Sequence, residues 1–315
     1  ACGPTVYRDA HVGNMRTFLL TDLIKRFAQY QGLKVELVQN ITDVGHMADD
    51  QGLGGVDEGQ LDTEDRVLAQ ASKESTDALS IARKYEELFH NDLKLLNIQK
   101  ADRYPKASES INLMVELIEK LIEKNHAYVG KDGSVFFDAK SFPSYGAISG
   151  NRLEDLKPGH RFDGKEDPNK RFHADWALWK SAHQRTEMVW DSPWGIGFPG
   201  WHIECAAIAL KFANPEDEFV IDIQGGGKDL IFPHHEMSAS QVKLLTGKTF
   251  ARAFVHAALI GLDGEKMSKS KGNLVFVSKL IEEGVSPMAI RWALLKRPYC
   301  QEYMWMRTET QIAQA

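Results

Sequence analysis

Apolar residues recur at helical spacing over Phe18, Leu20, Leu23, Ile24 and Phe27, which predicts a helix behind His11-Val12-Gly13-Asn14 that Gly32 can end. Residues 34–41 then read as a strand. Residues 50–64 set Gly52, Gly54, Gly55 and Gly59 among acidic and polar side chains, the composition of a mobile loop from which no core can be built. From 66 to 125 the pattern is helical, and Ile111, Met114, Val115, Ile118, Leu121 and Ile122 form a stripe that belongs to the core. Tyr128-Val129 and residues 134–137, joined through Lys131-Asp132-Gly133, predict a hairpin. Residues 154–169 carry charge, proline and glycine with little periodicity and read as loop, and regular structure resumes over 176–180. Residues 219–223 predict a short strand that delivers Gly225, Gly226 and Gly227, and residues 308–315 look like the start of a helix. Strands alternating with helices favour a parallel sheet covered by helices.

Composition narrows the class of protein without choosing a function. At 315 residues the chain is long enough for one large or two ordinary domains. A net charge of −6 does not mark a nucleic-acid binder, though phosphate contacts depend on local basic surface rather than the average. There is neither a signal sequence nor an apolar run of the roughly 18 residues that a span requires, so no membrane role is expected. Three cysteines, Cys2, Cys205 and Cys300, do not make a disulfide framework, and a cytoplasmic home follows.

Candidate chemistry centres on two distant segments. Lys266-Met267-Ser268-Lys269-Ser270 places two ammonium groups three positions apart in a short polar stretch, which suits a developing pyrophosphate; a solvated turn is the plain alternative. His11-Val12-Gly13-Asn14 opens a helix, where unpaired backbone N–H groups and the helix dipole favour an anion. Gly13 lets a nucleotide lie close to the backbone, and His11 can donate to phosphate oxygen; as an isolated residue His11 reads as an ordinary hydrogen-bonded histidine. Gly225, Gly226 and Gly227 permit close approach to adenosine or form a flexible link, and Asp229 binds a substrate ammonium or caps a helix over 231–240.

Six blocks together carry a resemblance: Cys2-Gly3-Pro4-Thr5-Val6-Tyr7, His11-Val12-Gly13-Asn14, Asn40-Ile41-Thr42-Asp43, Trp201-His202-Ile203-Glu204-Cys205, the run from Gly225 to Glu236, and Lys266 to Ser270. In this order and over nearly the whole chain they resemble the cysteinyl-tRNA synthetases, within the class I aminoacyl-tRNA synthetases. The resemblance implies an α/β fold: a Rossmann-like doubly wound parallel nucleotide-binding domain with an inserted α+β subdomain and the start of a C-terminal helical region. Its parts would be the first half of the catalytic domain (1–100), a connective insertion (101–185), the second half (186–255), and a lysine-loop and stem-contact region leading into the helical domain (256–315).

The implied activity is ATP-dependent activation of L-cysteine and transfer to tRNA(Cys), with ATP bound as its Mg2+ complex. Lys266, Lys269 and His11 would stabilise the reacting phosphate, with Gly13, Asn14, Gly225, Gly226, Gly227, Met267 and Ser268 around the nucleotide. Gly3, Thr5, Trp201 and Asp229 would hold the amino acid, and Zn2+ on Cys2, Cys205 and His234 would select the thiol. Small buried hydrophobes are the alternative reading of the two cysteines.

Two departures keep a second acceptor open. Where the family reads His-His-Glu-Asn-Glu with the last Glu on zinc, this chain reads His234-His235-Glu236-Met237-Ser238, as in the related cysteine ligase of mycothiol synthesis, which joins cysteine to an amino sugar and uses three protein ligands. The stretch 250–277 also leans toward that ligase, whereas Asn14 and the segment 145–180 lean toward the synthetase. Asp43-Val44-Gly45-His46 departs from the usual acidic pair. A non-catalytic zinc-binding RNA-binding paralogue is a reading of another class. The native product is expected to extend beyond both ends and to be a monomer.

Overall fold

The structure is a computed structural model that describes residues 1–47, 65–156, 167–214, 216–262, 265–267, 272–306, 308 and 310. In chain order its elements begin with helices α1 (Val12–Tyr30), α2 (Arg66–Glu74), α3 (Ala78–Leu95) and α4 (Ile111–Glu123). Strands β1 (Ala127–Val129), β2 (Val135–Phe137), β3 (Trp176–Ser181) and β4 (Gly197–Pro199) follow, then α5 (Trp201–Phe212), β5 (Phe219–Gly227), α6 (Glu236–Thr246) and β6 (Thr249–Ala257). The chain continues through β7 (Ile260–Leu262), β8 (Glu265–Lys266), α7 (Val277–Glu282), α8 (Pro287–Leu295) and β9 (Tyr303–Trp305).

A parallel arrangement runs through the centre. Residues 2–6 lie beside 38–42 through the parallel Thr5–Thr42 bridge, and 38–42 lie beside 103–106 through the Val38–Arg103 and Ile41–Lys106 bridges. On the opposite edge, Cys2 N–H donates to Gly225 O at 3.0 Å, and β5 pairs with β6 in parallel from Phe219–Thr249 to Gly227–Ala257. Counted along the chain, these runs neighbour one another in the order 3-2-1-4-5. That is the doubly wound nucleotide-binding order, in which ligands occupy the crevice where the order reverses, here between residues 2–6 and β5.

The antiparallel sheet β1-β2-β3-β4 is formed by residues that lie in sequence between the two halves of this parallel set. Its apolar face shares one core with α4, α5 and α6, including Met114, Ile118, Leu121, Phe137, Trp176, Trp179 and Ile203. A second core joins α1, α3, α7 and α8 through Val12, Met15, Leu19, Phe89, Leu93, Val277 and Ile290. Between these helices, the buried Asp22 carboxylate accepts from Arg26 and from Arg291, which also donates to the carbonyls of residues 96 and 97. One carboxylate thereby ties α1 to α8.

The sequence pattern is met in part. Helix α1, the left-handed Gly32 after it (φ 80°), the hairpin β1–β2 and the strand from Trp176 all form where expected. Leu23 and Phe27 were expected on the buried face of α1 but are exposed, the inward face being Met15, Phe18, Leu19 and the polar Asp22 and Lys25. Residues 34–41 form isolated bridges rather than a continuous strand. Two of the neighbours are Pro4 and Pro105, whose carbonyls accept from Thr42 and Ile41 but which have no N–H to return. The helical reading of 66–125 fails between Leu95 and Ile111, where Asn97 turns left-handed (φ 51°) and the chain extends to supply the third parallel run. Strand β5 continues through Gly225, Gly226 and Gly227, which are ladder residues and not a flexible link. The loop expected over 50–64, most of that over 154–169, and most of the helix expected over 308–315 lie outside the described residues.

Candidate functional site

The crevice between residues 2–6 and β5 collects sulfur and imidazole. Cys2 arrives on the first parallel run, Cys205 on the inner face of α5, and His234 and His235 on the turn between β5 and α6; all four are buried. The Cys2 and Cys205 sulfurs are 4.0 Å apart, and His234 Nε2 is 3.1 Å from Cys205 Sγ. One donor atom each from Cys2, Cys205 and His234 fits within 4.8 Å. Tetrahedral zinc with bonds of about 2.3 Å to sulfur needs thiolates about 3.8 Å apart, so this spacing fits a thiophilic metal. Among the described residues this trio is the metal-competent group.

A ring of partners orients the trio. His234 Nδ1 lies 3.1 Å from His202 Nδ1, which leaves Nε2 toward the sulfurs. Cys2 Sγ lies 3.3 Å from His235 Nε2 and accepts from Gln224 Nε2 at 3.1 Å, while His235 Nδ1 is 2.8 Å from His256 Nε2. The Ser238 hydroxyl donates to the backbone of His202 at 3.1 Å and is thereby occupied. Glu236 is equally buried; its carboxylate accepts the N–H groups of Gly146, Ile148 and Ser149 at 3.0, 3.0 and 2.8 Å, clamping that loop to the start of α6.

The electrostatics agree with a metal-binding sulfur pair. A hydrogen bond from Cys205 holds the Cys2 thiol well below its usual pKa, and the same bond together with burial pushes Cys205 well above it. One thiol of the pair therefore gives up its proton before the other. Burial, reinforced by His235, lowers His256 to about 4 and keeps it neutral near pH 7.

Trp201, first residue of α5, covers one side of this cluster. Its indole stacks on His234 with centroids 4.3 Å apart and on His46 with centroids 4.1 Å apart. Thr5 reaches the same place through His46, its Oγ1 lying 2.5 Å from Nδ1. Gly3 is required by packing, because a Cβ there would lie 1.7 Å from Asn40 O. A Cβ on Gly226 would press within 2.7 Å of the His235 ring, so the glycines of β5 serve the histidine cluster as well as any ligand. Asp229 sits exposed in the short turn Lys228–Leu230, and no capping bond from it is seen among the described residues.

At the far side of the crevice, His11 caps α1. Its Nδ1 accepts from Asn14 N–H and the Asn14 side-chain oxygen accepts from His11 N–H, both at 3.3 Å. A Cβ on Gly13 would meet the His11 ring at 3.0 Å, so glycine protects the cap geometry. Val12 N–H donates to Val275 O at 2.9 Å, and His11 bridges Phe276. Met267 is buried in the same core as Val12. Residues 275–276, which follow the lysine-flanked segment, thus lie against the histidine-led one; Ser268, Lys269 and Ser270 lie outside the described residues, and only the backbone of Lys266 is described.

The structure brings the expected Cys2, Cys205, His234 and Trp201 together and sets beside them His46, Gln224, His202, His235 and His256, which the sequence reading did not name as their partners. The doubled histidine at 234–235 was the available signal; the others come from separate segments that only the fold assembles.

The fold and this crevice define a class I synthetase catalytic domain. The chain belongs to the class I (C) tRNA synthetase catalytic-domain family, whose model matches residues 1–51 and 59–315. Among curated proteins it is similar to the cysteine–tRNA ligase of Thermus thermophilus, 43% identical over 298 residues, and to that of Deinococcus radiodurans, 42% identical over 298 residues. Each alignment covers 95% of this chain but 58% and 56% of the relative, so the chain spans less than two thirds of those proteins. Among solved structures, Mycobacterium tuberculosis methionyl-tRNA synthetase with methionyl-adenylate aligns at TM-score 0.64 and 16% identity over 98% of this chain and 66% of that one. The leucyl-tRNA synthetase of Agrobacterium radiobacter in its ternary complex aligns at TM-score 0.62 and 11% identity over 98% of this chain and 69% of that one. At such identity these two show the shared fold alone.

Proposed function

We propose that the chain is the catalytic part of a cysteine–tRNA ligase: it forms cysteinyl-adenylate from L-cysteine and ATP–Mg2+ and passes the cysteinyl group to tRNA(Cys). The observation that carries this reading is the buried Cys2–Cys205–His234 trio beside Trp201, in a chain over 40% identical to proteins of that name. Cys2, Cys205 and His234 would hold Zn2+, which when bound favours a substrate thiolate over a serine hydroxyl whose proton is far harder to remove. Trp201 walls the side-chain pocket, Gly3 and Thr5 lie along it, and the exposed Asp229 carboxylate attracts the substrate ammonium.

The nucleotide lies over the start of α1 and the end of β5. Gly13, Asn14, Gly225, Gly226 and Gly227 form its bed, and the dipole of α1 favours its phosphates. His11 donates to a phosphate oxygen as charge develops, while Lys266 and Lys269, with Met267 and Ser268 shaping their loop, stabilise the reacting α-phosphate and the departing pyrophosphate. Catalysis on this account is placed charge and requires no nucleophilic side chain.

Residues 1–100 and 186–255 are the two halves of the catalytic domain, 101–185 the connective insertion, and 256–315 the lysine loop and stem-contact region. The protein acts as a cytoplasmic monomer; no described helix is long and apolar enough to cross a membrane. One observation favours a second acceptor: Ser238 bonds to the His202 backbone, leaving three protein donors as in the amino-sugar ligase. The test is transfer of labelled cysteine, with ATP, to deacylated tRNA, scored as acid-precipitable label beside pyrophosphate release. Label in RNA supports the synthetase. Pyrophosphate release without it points to an amine acceptor, and neither signal in zinc-replete protein leaves a non-catalytic RNA-binding paralogue.

A further inference from the structure

His46 is buried, stacked and half-bonded. Its ring is 4% exposed and nearly parallel to the Trp201 indole, at 4.1 Å and 7°. Nδ1 is 2.5 Å from Thr5 Oγ1, whereas Nε2 is buried with no hydrogen-bond partner among the described residues. Leaving such a nitrogen unpaired is costly, so a native fold that keeps one normally meets it with water or a ligand. His90 Nδ1 and His126 Nδ1 are also buried without a partner among the described residues, but among the three it is His46 that stacks on Trp201 beside the sulfur–histidine pocket.

The backbone fixes the ring's position. Gly45 is left-handed (φ 82°), and a Cβ there would lie 2.7 Å from Pro199 O and 2.6 Å from Glu204 Oε1. Its N–H donates to Asp65 Oδ2 at 2.9 Å, and Met47 bridges Asp65. Burial first, then the charge of Arg66, keeps the imidazole neutral, so it acts as a hydrogen-bonding group rather than a cation. Trp201 contacts both His46 and His234, placing His46 one ring removed from the His234 donor. A thiol side chain held at the trio's donors leaves its main-chain end to the rest of the pocket.

We propose that His46 is a substrate-binding residue of the amino-acid pocket, holding Thr5 and Trp201 in place and offering Nε2 to a main-chain polar group of the bound α-amino acid. This rests on the cysteine-activation reading above. Three variants separate its parts. His46→Phe keeps a ring for stacking and has neither nitrogen; His46→Asn places its amide near Nδ1, and His46→Gln places its amide near Nε2.

The experiment is ATP–pyrophosphate exchange by the full-length, zinc-replete protein over a panel of amino acids beginning with cysteine, with melting temperature and metal content measured on each variant. His46→Phe and His46→Asn are expected to raise KM for the amino acid about tenfold or more, the scale of one lost buried hydrogen bond, with kcat and KM for ATP within a few-fold. His46→Gln is expected to recover most of the loss. An unchanged amino-acid KM in His46→Phe overturns the proposal, since Nε2 then takes no part in holding the amino acid. Recovery by Asn but not Gln also overturns it, leaving only the bond to Thr5. A KM for ATP that climbs in step with a falling melting temperature marks the ring as purely structural. Wild-type protein that activates no amino acid would remove the underlying reading and this proposal together, a result distinct from the others because the variants then have no activity to lose.

Discussion

The sulfur–histidine pocket and the start of α1 face one crevice but are built in opposite ways. Cys2, Cys205, His234 and His235 are buried and linked across segments 29 to 233 residues apart. His11 and Asn14 lie nearer solvent and bond to each other's backbone within one helical turn. The pocket is thus assembled by tertiary structure, whereas the helix start is largely preformed by local sequence. A selective site benefits from the first arrangement, because fixed donors discriminate by geometry. The nucleotide site proposed at the start of α1 suits the second, where backbone N–H groups and a dipole act without burying charge.

Breaking the pocket should give the largest effect. Cys205→Ser leaves a hydroxyl where the trio needs a thiolate, so bound zinc should fall from one per chain to near zero by elemental assay. Preference for cysteine over serine in pyrophosphate exchange should drop by about 100-fold or more. Zinc retained at one per chain would falsify the ligand set. At the helix start, cap and chemistry can be separated. His11→Asn supplies another good N-cap and should leave the melting temperature near wild type, while adenylate formation slows by about two orders of magnitude. His11→Ala should add a loss of about 1 kcal/mol in stability measured by denaturant unfolding. Equal rates in wild type and His11→Asn would reduce His11 to a cap.

This contrast also explains what could be read from the sequence. The helix behind His11, its end at Gly32 and the hairpin around Gly133 rest on local spacing and turn chemistry, and each forms as expected. The third parallel run was missed because Arg103, Pro105 and Lys106 have no strand signature; carbonyls of 37–41 and of their neighbours define it, which is tertiary information. Phe27 was taken for core because periodicity cannot tell a covered apolar face from an exposed one. At the site, cysteines inside matching motifs were legible. His46 and His256 were not, because their role is set by which rings the fold brings within stacking or hydrogen-bonding distance.

An intermediate effect is expected at the clamp behind the pocket. Glu236→Gln retains shape but replaces one acceptor oxygen by a donor facing the N–H groups of residues 146–149. The cost should be about 2 kcal/mol, the scale of hydrogen bonds to a buried charge, read as a lower denaturant midpoint. Zinc content should stay near one per chain, since Glu236 bonds the loop rather than the metal-competent trio. Loss of zinc with unchanged stability would move Glu236 into the pocket.

The smallest effect should appear away from the sulfur pocket, at Asp92 in α3. Burial first, then the nearby charge of Asp9, pushes its carboxyl up to about 7, from an ordinary value near 3.8. Between those two values the folded chain holds a proton that the unfolded chain releases, so the group's contribution to stability is full below about 4 and is lost as pH rises through about 7. Asp92→Asn carries no charge at any pH. Relative to wild type it should therefore gain thermal stability above pH 7 and show little difference near pH 4, a trend opposite to that of a carboxylate stabilised by an ion pair. Melting temperatures measured from pH 4 to pH 8 check the sign. A difference independent of pH would mean that Asp92 remains charged throughout and that α3 tolerates a buried charge.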